Sequence, residues 1–390
     1  RNTNIRRLGF VSKVLSRNNV ITIIAAINPY DIVRKELTKK DKNLKTVYVK
    51  CKLETLIERD VKGLYKRALL PDGHPDKVLV KETDNHYKTN TLPSARCLVT
   101  GHKGYIGAHL FKRLKELGHE VQGIDLQEEY SKDICGLEGL VEDEQGNFHP
   151  HYWNFKPEYI FHMACFPRVG YSVENPVLTM KNNVMIGTHV LNFARKVGAK
   201  RVIYSSSSSV NGNGQGPESP YALQKMVTEL ECQLYSKLYG LDTISLRYFN
   251  VYSEDQKTNG SYGTAIANWM QAIRDKKVPY ITGDGEQRRD MIHVQDVASV
   301  NIFAMNFDRY TFSGDVYDVG TGSNISLNEI KDIVQKHFPA VSFDYVDPRA
   351  GDVDLTRAQT EDLESIGWKA EISIESGINN CFKELKNELS

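Results

Sequence analysis

Tyr221 and Lys225 stand four residues apart in the run Ser219-Pro220-Tyr221-Ala222-Leu223-Gln224-Lys225. Residues at i and i+4 share one face of a helix, so this spacing brings a phenol and an ammonium together. A free phenol has a pKa of about 10 and is a weak base at neutral pH. A neighbouring cation stabilises the phenolate and moves that pKa towards working pH, which makes Tyr221 a candidate proton-transfer residue and Lys225 its partner. Ser207 lies 14 residues before Tyr221, within the five serines Ser205 to Ser209. Its hydroxyl is a candidate to hold a reacting hydroxyl and share its proton. The other four serines read as loop residues that satisfy backbone groups.

A second group of residues suits a dinucleotide. Thr100-Gly101-His102-Lys103-Gly104-Tyr105-Ile106-Gly107 follows a predicted strand, Arg96 to Thr100, and opens a predicted helix ending near Gly118. Glycines at 101, 104 and 107 let a pyrophosphate approach backbone with no Cβ in the way, and the helix N-terminus offers it unpaired N–H groups. Asp125 ends the next strand, Glu120 to Asp125, 18 residues after Gly107. A carboxylate there accepts hydrogen bonds from both adenosine ribose hydroxyls and repels a 2′-phosphate, so NAD is expected rather than NADP.

These residues need a scaffold. Apolar strands at Tyr159 to Ala164, Arg201 to Ser205 and Thr243 to Leu246 alternate with helical stretches at Pro176 to Lys196 and Tyr221 to Tyr239. The alternation predicts an α/β doubly wound parallel sheet. A polar joint from Thr83 to Ser94 separates this block from an earlier one, giving expected domains over residues 1–90 and 95–390. With 50 Lys and Arg against 49 Asp and Glu, the net charge of +1 provides no global field for nucleic acid or an anionic membrane. The six cysteines show no CxxC or Cys/His spacing, so no metal site is expected and reduced thiols are. No apolar run reaches the ~20 residues that span a bilayer and no charged-then-apolar leader is present, so a cytoplasmic protein is expected. The chain opens on Arg1 rather than Met, and a preceding segment is expected.

The order of motifs resembles that of the extended short-chain dehydrogenases/reductases, specifically the NAD-dependent nucleotide-sugar epimerases. It comprises the glycine turn, His162-Met163-Ala164-Cys165, the serine run, Tyr221 with Lys225, Arg247-Tyr248-Phe249-Asn250-Val251-Tyr252, Gly283 to Asp290, and Pro348-Arg349-Ala350-Gly351-Asp352. The resemblance covers roughly residues 96 to 385. It implies a Rossmann domain with a smaller C-terminal substrate subdomain, and a homodimer through two helices. It assigns Ser207, Tyr221 and Lys225 to catalysis. NAD contacts would come from Gly101, Gly104, Tyr105, Ile106, Gly107, Asp125, Asp133, Ile134, Met163, Ala164, Tyr221 and Lys225. Nucleotide-sugar contacts would come from Ser207, Asn250, Arg289 and Arg349, with Thr264, Ala265 and Tyr280 lining the sugar or base pocket.

Within this family, dehydratases carry an Asp-Glu pair where this chain has Ser208-Ser209, and UDP-glucuronate decarboxylases carry a glutamate at the place of Ser209. The expected reaction is therefore 4-epimerisation of a UDP-hexose or UDP-N-acetylhexosamine, with decarboxylation or another dehydratase or reductase chemistry as the alternative. The chain departs from the family at several places. Asn211 replaces a tyrosine, Ser253-Glu254 replaces Gly-Pro, the loop from Ser207 to Tyr221 is short, and Asn183 falls one position early in the family's NxxGT motif. A non-catalytic NAD-binding scaffold would be expected to lack Tyr221 or Lys225, and both are present.

Residues 1 to about 85 resemble the second half of adenylylsulfate kinase, through Asn4-Ile5-Arg6-Arg7-Leu8-Gly9, Ile27-Asn28-Pro29-Tyr30 and Asp60 to Ala68. GxxxxGK[ST] is absent from the sequence, so nothing in it cradles the β- and γ-phosphates of ATP. An incomplete P-loop-kinase-like α/β segment, a truncated kinase fused to the epimerase block, is the expected reading, with a remodelled docking or oligomerisation segment as the alternative; a P-loop encoded just upstream of Arg1 would favour instead an adenylylsulfate kinase in a longer bifunctional protein.

Overall fold

The computed structural model describes residues 94–125, 139–167, 169–212, 214–256, 264–348 and 354–390. The chain divides between residues 88 and 89, and all described residues fall in the second unit. The kinase-like segment, Asp133, Ile134 and Arg349 lie outside the described residues.

Six parallel strands form the central sheet: β1 (Arg96–Thr100), β2 (Glu120–Ile124), β3 (Tyr159–His162), β4 (Arg201–Ser207), β5 (Thr243–Tyr248) and β6 (Ser313–Val319). Their order is β6-β5-β4-β3-β1-β2. Side chains alternate between the two faces, as the period of a strand demands. Cys97, Val99, Phe161, Ile203, Ile244 and Leu246 pack on one face with α1 (Tyr105–Glu116) and α5 (Val294–Asn306). Leu98, Ile160, Val202 and Tyr204 pack on the other with α2 (Ile186–Val197) and α3 (Pro220–Tyr239). Both faces are covered, which is why these strands read as continuous apolar runs.

Strand order reverses at β1, with β2 on one side and β3 on the other. Ligands of doubly wound sheets bind outside the carboxyl ends of the strands at such a switch point. A second core gathers Ile266, Trp269, Met270, Ile330, Val334, Ile378 and Phe382 from α4 (Ala265–Arg274), α6 (Leu327–His337) and α7 (Ile374–Leu389). This is the smaller subdomain.

Four elements differ from expectation: the strand expected to reach Ala164 ends at His162, and the one expected to end at Leu246 runs on to Tyr248. β4 runs on to Ser207 because Ser206 and Ser207 stay in register with Arg247 and Tyr248 of β5. The helix expected over Pro176 to Lys196 is broken into an α segment, Pro176–Met180, a π turn, Lys181–Met185, and α2. Among the described residues, no helix is long and apolar enough to cross a membrane, and no group of three or more His, Cys, Asp or Glu is placed to hold a metal ion.

Candidate active site

The glycine turn joins β1 to α1. Gly101 has φ +72°, and a Cβ there would lie 2.8 Å from the backbone of Ala164. At Gly107 a Cβ would come within 2.1 Å of the Gly101 carbonyl oxygen, so this glycine lets the turn fold back on its own helix. Any side chain at either position would fill the cradle. No side chain caps α1 at Gly104, and its first turn holds no acidic residue, so the N-terminal field is left for an anion. Asp125 sits at the end of β2, where one of its oxygens accepts a 3.0 Å hydrogen bond from the Lys103 N–H. The carboxylate is thereby fixed beside the turn. Backbone without Cβ, an uncapped helix terminus and an adjacent carboxylate fit a dinucleotide with free ribose hydroxyls.

Across the switch point, Thr100 Oγ1 lies 2.8 Å from His162 Nδ1 and accepts from the Ala164 N–H at 3.2 Å. This pins Met163 and Ala164 against the glycine turn. Burial, and secondarily the charge of Lys225, push the pKa of His162 down to about 3, so its ring is neutral.

Tyr221 enters α3 at its N-terminus. Ser219 caps the helix by accepting from the Ala222 N–H at 3.1 Å, and Pro220 occupies the first turn, where its missing N–H costs nothing. The Tyr221 N–H donates to Ser172 Oγ at 3.0 Å. The cap places the phenol over the end of β4, hydrogen-bonded to Ser207. Burial raises the Tyr221 pKa, the Cys165 thiol adds to that, and the bond to Ser207 opposes both. Lys225 is 2% exposed and donates to the Ser205 carbonyl at 2.6 Å. Its Nζ lies 5.1 Å from the Tyr204 ring centroid and 5.9 Å from that of Tyr221. The ammonium therefore reaches Tyr221 through its ring face rather than by the direct pairing that the spacing suggested.

The reading of the serines as loop residues needs correction. Ser205 and Ser206 belong to β4 and are buried: Ser205 Oγ contacts Met163 Sδ at 2.9 Å, and Ser206 Oγ donates to Glu229 at 2.5 Å. Glu229 also receives Arg247 through two nitrogens, at 2.7 and 2.6 Å, and Arg247 donates to Asn211 at 2.7 Å. Asn211, where the resemblance implies a tyrosine, thus ends a part-buried network that starts at Ser206. Ser209 lies in a 3-10 turn, Ser208–Asn211, where both its N–H and its hydroxyl donate to Ser207 Oγ, at 3.2 and 3.0 Å, so its side chain serves Ser207 rather than a backbone group.

Asn183, which the sequence left without a role, lies in the π turn. It accepts from the Phe166 N–H at 2.7 Å and donates to Gln224 at 2.8 Å. A π turn holds one residue more than an α turn, which is the offset that makes Asn183 fall one position early.

Of the expected nucleotide-sugar contacts, Asn250, Thr264, Ala265, Tyr280 and Arg289 line one pocket of about 210 Å³. Thr264 caps α4, accepting from the Ala267 N–H at 3.3 Å, and Asn250 donates to the Asp290 carbonyl at 2.8 Å. Ser207 is not among the lining residues, because it belongs to the floor at β4. The sequence missed the wall formed by Trp269, Met291, Ile325, Leu327 and Ile330. Trp269 Nε1 donates to the Tyr280 carbonyl at 2.8 Å and orients that wall. The buried Asp290 carboxylate, which accepts from Thr321, Gly322 and Ala358 at 2.9 to 3.0 Å, anchors the strand that carries Arg289.

The chain is similar to known proteins. A Methanocaldococcus jannaschii protein with a provisional UDP-glucose 4-epimerase name is 33% identical over 306 residues, 74% of this chain and 98% of the relative. A UDP-N-acetyl-alpha-D-glucosaminuronate decarboxylase of Bacillus cytotoxicus is 26% identical, covering 75% of this chain and 99% of the relative. The solved UDP-N-acetylglucosamine 4-epimerase of Methanobrevibacter ruminantium, in complex with UDP-N-acetylmuramic acid, superposes with a TM-score of 0.67 at 28% identity, over 76% of this chain and 100% of that one. Residues 1–74 match the adenylylsulphate kinase sequence profile, apart from the described fold. Residues 97–320, more than half of the chain, match the profile of the NAD dependent epimerase/dehydratase family, and the glycine cradle, the buried tyrosine and the relatives agree that this chain is an NAD-using enzyme belonging to that family.

Proposed function

We propose that the protein interconverts C4 epimers of a UDP-hexose or UDP-N-acetylhexosamine. One observation carries this choice of reaction: Tyr221 and Ser207 form a hydroxyl pair over the end of β4, followed by Ser208-Ser209, where an elimination would need an acid and a base. Ser209 is engaged with Ser207 and supplies neither. Ser207 would hold the 4-hydroxyl of the sugar, and Tyr221 would take its proton as phenolate, the form that Lys225 and a positive nicotinamide ring would favour against the effect of burial. Held at the glycine turn by Gly101, Gly104, Gly107 and Asp125, NAD would supply the reversible hydride chemistry needed at C4. Lys225 stabilises the phenolate through the ring face, and Tyr221 reprotonates the oxygen after the 4-keto sugar has turned over in the site. Asn250, Arg289 and Arg349 hold the diphosphate, where guanidinium groups suit phosphate oxygens. Thr264, Ala265 and Tyr280 line the rest of the nucleotide pocket.

The same reading takes the enzyme as a cytoplasmic homodimer. Leu223, Leu230, Leu234 and Leu238 are exposed along α3 at spacings that put them on one stripe, which a second copy would cover. Residues 1–90 are taken as a kinase-like domain without a P-loop, and 95–390 as the epimerase. Proton NMR of the purified protein with UDP-glucose, UDP-galactose and their N-acetylamino forms tests the reaction. Equilibration of one C4 pair, lost in Tyr221→Phe, is expected; no equilibration of any pair, or conversion unaffected by the substitution, would overturn it.

A further inference from the structure

Ser253, Glu254 and Asp255 stand where the family resemblance leads one to expect Gly-Pro and the residue after it, and each of the three side chains is engaged. Ser253, 1% exposed, accepts from the Tyr105 hydroxyl at 2.6 Å and donates to Asp255 Oδ1 at 2.6 Å. The other oxygen of Asp255 pairs with His109 Nε2 at 3.2 Å. Tyr105 and His109 lie one turn apart on α1 and contact edge to face, with centroids 5.6 Å apart. The four side chains thus form a closed polar circuit around the first turns of the cofactor helix. Glu254 anchors the same segment from the opposite side, 3.0 Å from His293 Nε2. Gln256, next in the chain, accepts from Thr264 at 2.8 Å and so joins the segment to the nucleotide pocket.

A glycine at 253 would contribute no hydroxyl, and the circuit would open at its centre. We propose that Ser253, with Asp255 and His109, is a latch that holds the substrate subdomain on the N-terminal turns of α1 and thereby slows release of bound NAD. Ser253 acts here as a positioning residue. The purpose of the latch rests on the proposed reaction, in which the dinucleotide is regenerated at every cycle, but its test does not require that reaction.

The test loads the full chain with radiolabelled NAD+, chases with excess unlabelled NAD+, and follows retention on rapid filtration. Ser253→Ala should release label about tenfold faster than the native chain, the scale of one hydrogen bond within a charged network. His109→Gln, at the partly exposed end of the circuit, should act in the same direction and serves if Ser253→Ala fails to fold. The double variant should be no faster than the quicker single one, because either change opens the same circuit. Release within about twofold of the native rate in a folded variant, judged by an unchanged melting temperature, overturns the latch. So does a double variant whose effect is the product of the two single ones.

Discussion

The floor of the site and its nucleotide pocket are built differently. The floor consists of strand ends and helix N-termini: Gly101, Ala164, Ser207 and Tyr221 are set by the register of β1, β3 and β4 and by one helix cap. Tyr221 and Lys225 are buried there, and Ser207 is half-buried. The pocket is assembled from Asn250, Thr264, Tyr280, Arg289 and Ile325, which come from several separate segments of the smaller subdomain. On the proposed function, chemistry belongs to the region where backbone pairing leaves little freedom, and substrate identity to segments that meet only through tertiary packing.

If that division is right, substitutions in the floor should change turnover or cofactor binding, and those in the pocket should change KM. The largest effect is expected for Tyr221→Phe, which removes the proton acceptor but keeps the ring. Turnover should fall about a thousandfold with NAD still bound, measured by single-turnover kinetics on protein of known NAD content. Gly107→Ala should weaken NAD binding by about a hundredfold in calorimetric titration, because the nearest obstacle is the Gly101 carbonyl rather than a flexible side chain. Arg289→Ala should raise KM about tenfold and leave kcat within about threefold. A fall in kcat alone would erase the distinction between the two regions.

A smaller effect sharpens the comparison from the side of stability. His162 has a folded pKa of about 3 against an ordinary 6.5, so below pH 6.5 the unfolded chain takes up a proton that the folded chain refuses. Its contribution to stability is complete above pH 6.5 and is lost as pH falls towards 3, at roughly 1 kcal/mol per pH unit. His162→Asn should flatten the acid limb of stability in urea titrations between pH 4 and 6.5; an unchanged slope would remove His162 from the account.

How much of this was legible in the sequence follows the same division. The glycine turn and Tyr221 with Lys225 could be read because their geometry is local, set by a turn and by one helical repeat. Ser206 could not, since only pairing with β5 draws it into the sheet and aims its hydroxyl at Glu229. Asn183 was obscured by a π turn, which shifts register without leaving a residue-type signal. The apolar wall of the pocket, Trp269 with Ile325 and Ile330, carries no motif of its own. Its role depends on how α4 and α6 pack, and no spacing records that.

The central claim is that the C4 hydrogen leaves the sugar and returns to it within one binding event. Incubating the enzyme with UDP-galactose deuterated at C4, and with the matching N-acetylamino sugar, tests this by NMR and mass spectrometry of the product. The account predicts an inverted C4 centre that keeps its deuterium while no solvent hydrogen enters the ring. Loss of the label to solvent, or exchange at C5 in its place, would contradict it.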